Sequence, residues 1–277
     1  MDENKKVTGA QSKKKVRKIK DMNGGTKRAR ILTMVGSIIV GIALWAILAP
    51  LSKGNMFAGP KEVFGIAFSE LMGADGGEPY LLLKHIYWSF TRVLSGWAIA
   101  FACAIPIALL MGWYIPFRNA VDPWIQFFRT IPPIALIPLV ILLMGTGEAA
   151  KITVIFITSF LVMTVTIYQG VKNMDQTLVK AAYTFGASDL SIFIRVVVPY
   201  TFPFILTAAR LGISTALTTL IAAEMTGTFY GLGSMIQTAQ IYMRMDKVLL
   251  GIICIGVIGF LLDRLLLFAE KKLTKWQ

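Results

Sequence analysis

The chain has 277 residues, of which 56% are hydrophobic and 16% charged, with a formal net charge of +13. So few charges, against about a quarter in ordinary soluble domains, exclude that class. One histidine, His85, and two cysteines, Cys103 and Cys254, leave no residue set for a metal cluster or a His-based triad. Both cysteines lie in apolar runs and read as small hydrophobes, not as a disulfide or metal pair.

The chain opens on a strongly basic stretch: 11 of the 28 Lys and Arg precede Ile31. An apolar run follows at once, so residues 1–30 read as a disordered cytosolic tail held near anionic lipid headgroups, not as a nucleic-acid-binding arm. The basic stretch is too long, and the apolar one too complete, for a cleaved signal peptide.

Six membrane spans are expected in residues 31–277, each near the 20 or so residues that cross a bilayer. They run over 31–49, 90–113, 125–144, 150–171, 200–225 and 248–268. An extended polar segment with Pro60, Glu62, Glu70 and Pro79 separates the first two. Gly145-Thr146-Gly147 reads as a tight turn between the third and fourth. If the basic N-terminus is cytosolic, inside segments hold 19 Lys and Arg and outside segments 6; without the tail the bias is only 8 against 6. Both termini are then cytosolic, and so is the polar interruption at 172–199.

That interruption reads as two short helices and a joint. Leu178, Ala181, Ala182 and Phe185 recur at i, i+3, i+4 and i+7, on one helical face. Gly186 suits the left-handed residue that ends a helix, and Ser188 or Asp189 suits the next N-cap. The second arm, 190–198, is expected to stop at Pro199. An elbow with a small-residue face, projecting from a membrane bundle, suits docking into a partner's groove.

The elbow residues Lys180-Ala181-Ala182, Gly186 and Val196-Val197-Val198-Pro199 resemble the Glu-Ala-Ala cytosolic loop of ABC-importer permeases. Spacing, Gly and Pro are kept, whereas Lys180 stands where the family usually has Glu, and Val196 and Val198 replace Ile and Leu. The resemblance covers about residues 85–276. It takes in His85, Ser89, Phe90, Arg92, Val93 and Gly96, then Asp122 to Gln126 and Arg129 to Leu139. It continues through Gly145, Gly147, Glu148 and Lys151 to Ala223-Glu224-Met225 and Gly231-Leu232-Gly233. Together these are similar to the nitrate/sulfonate/taurine branch. The resemblance implies an all-α, six-span, type I ABC-importer permease in a bacterial inner membrane. It also implies two copies of the chain, two ATP-binding subunits and an external substrate-binding protein, with no cofactor of its own. Lys180, Ala181, Ala182, Phe185, Gly186, Ala187 and Pro199 are the expected ATPase-coupling residues.

Other polar residues within the spans carry two readings each. Arg210 lies about ten residues into the fifth span, near mid-membrane, and Glu224 nearly four helical turns further on roughly the same side. Buried ionisable groups usually face the bundle interior or a water-filled path. The pair is therefore expected either to line a translocation path, with Glu224 near an outer gate, or, for Arg210, to tie the bundle through backbone carbonyls or Gln and Ser side chains. Arg129 precedes Pro132-Pro133, where two missing N–H donors must break or kink the third span. The break either offers carbonyls to the substrate or only fits neighbouring helices. The stretch Gly145 to Ile152 lacks the Gly-Lys-Ser/Thr ending of a phosphate loop, so ATP hydrolysis is expected on another subunit. The segments 51–84 and 226–246 are candidate receivers of a binding protein, or plain solvated connections. The expectation is an ATP-driven importer of a small solute such as nitrate, a sulfonate or taurine. The alternatives are an ion-gradient carrier or channel, which predicts repeated halves and paired carboxylates, and a membrane scaffold.

Overall fold

The computed structural model describes residues 27–51, 57–73 and 78–274. The expected tail at 1–26 lies outside the described residues. Regular structure among the described residues is helical throughout: α1 (Lys27–Leu51), α2 (Pro60–Met72), α3 (Leu81–Trp113), α4 (Ile115–Thr130), α5 (Pro133–Met144), α6 (Glu148–Lys172), α7 (Gln176–Thr184), α8 (Asp189–Ile192), a π-helical turn (Phe193–Val197), α9 (Val198–Glu224), α10 (Leu232–Ile241) and α11 (Met245–Leu273). Five of these helical stretches are long and apolar enough to cross a membrane, or six if the bent pair α4–α5 counts as one.

The chain divides after Glu62 into two compact units. In the first, α1 begins at Lys27, so residues 27–30, expected in the tail, form its first turn. The Trp45 indole donates to the Ala58 carbonyl at 3.1 Å. The segment after α1, expected to be extended, instead turns helical at Pro60. Pro60 is the first helical residue, and the Glu62 carboxylate accepts from the Gly59 N–H at 2.9 Å. That is the reach-back half of a capping box, a signal the count of polar residues had hidden.

The second unit is built on α6, which packs against both α3 and α9. Small residues set the spacing: a Cβ at Gly112 of α3 would lie 2.3 Å from the Val171 side chain of α6. The interior is apolar, with Ala100, Ala104, Met163, Ile167 and Ala208 fully buried. Polar groups inside it are mostly paired, with the Thr164 hydroxyl on α6 an exception. Thr158 and Thr219 join α6 to α9 at 3.0 Å, and the Trp97 indole donates to the Ala209 carbonyl at 2.9 Å.

The expected break in the third span is present, and two boundaries depart from expectation. The third span is not one helix, because α4 and α5 meet at 103° across Ile131 and Pro132. Pro132 and Pro133 supply no N–H, so the helical ladder cannot run through them. Pro199 does not stop the elbow's second arm. The Val198 N–H donates five residues back, to Phe193, and this wider turn carries the chain past the proline ring into α9, giving one 36-residue helical run from Asp189 to Glu224. The segment 226–246, expected as a loop, contains α10.

Candidate functional site

Two places gather the candidate residues, at opposite ends of α3, α6 and α9. The first is the elbow. Asp175 caps α7 by accepting from the Thr177 N–H at 2.8 Å, and that bond holds its carboxyl below the usual carboxylate range. At the other end of α7, Gly186 takes φ +76°. Its N–H donates to Tyr183 at 2.9 Å, and that of Ala187 to Ala182 at 3.1 Å. These two bonds form a complete Schellman stop. Ser188 is the next N-cap residue but makes no side-chain cap bond. Asp189 instead accepts from the Tyr183 hydroxyl at 2.7 Å, bracing one arm against the other and pushing the phenol's pKa up.

The elbow's first arm buries almost nothing of itself. No residue of α7 is buried, and Phe185 at its tip is 90% exposed. Lys180, Ala181, Ala182, Phe185, Gly186 and Ala187 fall together on the first arm and its joint, whereas Pro199 sits at the base of α9, apart from them.

The second place is a buried ion cluster. His85, Ser89 and Arg92 follow one another at i, i+4 and i+7 on the inward face of α3, and all three are buried. The Arg92 guanidinium, 3% exposed, grips Glu148 of α6 with two bonds, Nε to Oε2 at 2.5 Å and Nη2 to Oε1 at 2.8 Å. Its Nη1 donates to Glu224 Oε1 at 2.6 Å and to the Tyr230 carbonyl at 2.7 Å. Lys151 adds a bond to Glu148 at 3.1 Å. Two cations thus face two carboxylates and the charge is balanced, with Glu148 45% exposed at the edge and the other three buried.

Glu224, the last residue of α9, is fully buried and shares in capping α10. The Ser89 hydroxyl donates to both its oxygens, at 2.8 and 2.9 Å. Three successive N–H groups at the start of α10 are taken up by side chains. Gly231 donates to His85 Nδ1 at 2.9 Å, Leu232 to Ser89 Oγ at 2.7 Å and Gly233 to Glu224 Oε2 at 2.8 Å. The His85 proton therefore sits on Nε2. Gly231 passes so close that a Cβ there would lie 2.5 Å from the Glu224 carboxyl carbon. Helix α10 is in effect capped by side chains from α3 and α9.

The remaining candidates are separate from this cluster. Among the described residues, the Arg210 side chain binds neither backbone carbonyls nor Gln or Ser side chains. It pairs with Asp263 at 2.9 Å and Glu270 at 3.2 Å, both on α11. Asp263 falls within the sixth expected span and Glu270 just past its end, both inside α11. Arg129 is exposed in the last turn of α4, beside the break at Pro132 and Pro133.

With this geometry in place, likeness to known proteins identifies the chain. Residues 104–275 match the family of binding-protein-dependent transport system inner membrane components. The chain belongs to that family of ABC-importer permeases. The permease is 42% identical over 241 residues, 87% of its own length and 94% of the relative's, to a probable ABC transporter permease of Brucella abortus (strain 2308). It is 32% identical over 248 residues, 89% and 90% of the two lengths, to the taurine transport system permease protein of Escherichia coli (strain K12). Relatives named as aliphatic sulfonate and nitrate permeases place the permease in the nitrate/sulfonate/taurine branch. Its fold is that of the inward-facing MetNI methionine ABC transporter, with a TM-score of 0.57 at 19% identity over 68% of this chain and 95% of that one. The permease is therefore a multi-pass inner-membrane transport subunit of an ATP-driven importer. It works with a separate ATP-binding subunit and a substrate-binding protein.

The ion cluster is what sequence reasoning missed. His85, Ser89 and Arg92 were recognised as part of a family pattern but given no task. The signal was available: three polar residues on one face of an otherwise apolar helix need partners inside the bundle.

Proposed function

We propose that the elbow is the ATPase-coupling element and that the importer's cargo is a small oxyanion, such as nitrate or a sulfonate including taurine. The observation that carries the coupling role is the exposed Phe185 on an arm with no buried residue, fixed by the Schellman stop at Gly186. A large apolar side chain held in solvent on a defined helical joint is suited to a partner's pocket. Lys180, Ala181 and Ala182 lie on the same arm, with Ala187 just past the joint; Pro199 contributes by anchoring the second arm at the start of α9. Both ends of the described chain and the elbow then face the cytosol, and two copies of the chain pair to enclose the path. The exposed break at Arg129, Pro132 and Pro133 faces that path. Glu224 serves the path by holding its outer end together, and Arg210 by tying α9 to α11. The cargo class rests on the names of the relatives.

The test is co-purification of the detergent-solubilised chain with its cognate ATP-binding subunit. Phe185→Asp and Gly186→Trp are expected to abolish co-purification; Phe185→Asp leaves the thermal midpoint of the isolated chain near that of the wild type, whereas Gly186→Trp also lowers it by straining the left-handed joint. Retained binding in both variants would remove the elbow from the coupling role.

A further inference from the structure

At the elbow end of the bundle, a cavity of about 570 Å³ opens between the end of α3, the end of α6, the start of α4 and the first arm of the elbow. Its volume falls in the range of small-ligand sites, about 300–1,000 Å³. Arg118 and Lys172 line it. Arg118 is half-buried, and among the described residues neither side chain makes a hydrogen bond or an ion pair. The one carboxylate on the wall, Asp189, is already engaged by the Tyr183 hydroxyl. Helix α4 begins at the wall with no acidic residue in its first turn, so its positive end is also uncompensated.

Everything charged and unengaged in this cavity is therefore positive, which is the chemistry of an oxyanion site. Its level in the fold selects the source of the oxyanion. Trp113 and Tyr114 stand where the long apolar helix α3 ends, which is where aromatic residues mark a membrane–water interface. Basic pockets between spans at that level take lipid headgroups. We infer that this cavity binds the phosphate of an anionic phospholipid through Arg118 and Lys172. Because Gln176 and Tyr183 of the elbow form its other wall, an occupied site fastens the elbow to the bundle. The inference needs only the membrane-spanning fold and is independent of the coupling role proposed for Phe185.

The full chain, placed in phosphatidylcholine nanodiscs with a rising mole fraction of brominated phosphatidylglycerol, tests it. The readout is quenching of tryptophan fluorescence, with brominated phosphatidylcholine as reference. Wild type is expected to prefer the anionic lipid, and Arg118→Gln and Lys172→Gln each to weaken that preference about fivefold, as about 1 kcal/mol per surface cation implies. Arg195→Gln, a cation off the cavity wall, should leave it unchanged, and so should excess inorganic phosphate at constant ionic strength. Equal curves for the two lipids, or an Arg195→Gln shift as large as the others, would overturn the site. Displacement by inorganic phosphate would overturn the lipid assignment in favour of a soluble oxyanion. If Arg118→Gln does not fold, Lys172→Gln alone decides, since Lys172 is exposed and makes no side-chain bond.

Discussion

The two ends of this helical bundle solve opposite problems. At one end, Arg92, Lys151, Glu148 and Glu224 are drawn into a network in which charge is balanced and three helix-start N–H groups are capped. At the other, the elbow leaves Phe185, Leu178 and Leu190 to solvent; its first arm is held by a cap, a Schellman stop and one Tyr183–Asp189 brace, while the second arm anchors on the buried Ile192 and Val197. Every partner at the first end is internal, so it specifies the fold. The second end spends little on itself, so its apolar surface remains for another molecule. The difference separates stability from recognition along the same three helices.

Substitution should expose that division most sharply at Arg92. Arg92→Met leaves Glu224 buried without its cation, and breaking a buried pair in this way costs roughly 3–5 kcal/mol. The thermal midpoint in detergent should fall steeply, whereas Lys180→Met at the elbow should change stability by less than about 0.5 kcal/mol. Similar midpoints for the two variants would erase the contrast. A matched pair of glycine changes comes next. Gly231→Ala drives a methyl against the Glu224 carboxyl and should cost about 1–3 kcal/mol, opening the amides of α10 to hydrogen exchange. Gly186→Ala meets no neighbour within 4 Å, so only the left-handed backbone is penalised, by roughly 1–2 kcal/mol. Its exchange should rise in α7 alone.

Phe185→Ala should leave the midpoint unchanged within about 0.5 kcal/mol and yet lose the ATP-binding subunit. A destabilised variant would mean that the ring is packed in the chain itself. The smallest effect is on pH dependence at the elbow. The Asp175 carboxyl is depressed by its bond from Thr177. The cap is therefore in place above the ordinary carboxylate pKa of about 3.9 and is lost as pH falls through the lower folded value. The Tyr183 phenol is raised by Asp189. The brace is then complete below about pH 10 and fails as pH rises through the higher folded value. Ultraviolet titration of wild type against Tyr183→Phe should assign the missing phenol to the late, alkaline part of the curve. A missing early component would contradict the brace.

Much of this was legible without coordinates. Gly186 announced its left-handed turn because few residues tolerate one, and Pro132-Pro133 announced a break because two consecutive donors were absent. The misses have physical causes as well. Pro60 and Glu62 counted as polar loop residues, although together they mark a helix start. Pro199 looked like a stop because a proline's clash is with the carbonyl four residues back, and a π-turn sidesteps it. The ion cluster was opaque for another reason. Its members come from positions 85–92, 148–151 and 224–233, and no local spacing links them. A lone Arg in a span says that a partner exists but not which carboxylate it is.

The helical run from Asp189 to Glu224 has 36 residues, which at 1.5 Å per residue is about 54 Å of rod against a hydrocarbon layer of about 30 Å. One end is the elbow's second arm, and the other is the carboxylate that Arg92 grips. Under the coupling role proposed for the elbow, a push on it would reach the Glu224 end of the bundle without crossing a loop. The π-turn at Phe193–Val197 is the place along that rod where the ladder is least regular, and hence where the stroke would bend before it is delivered.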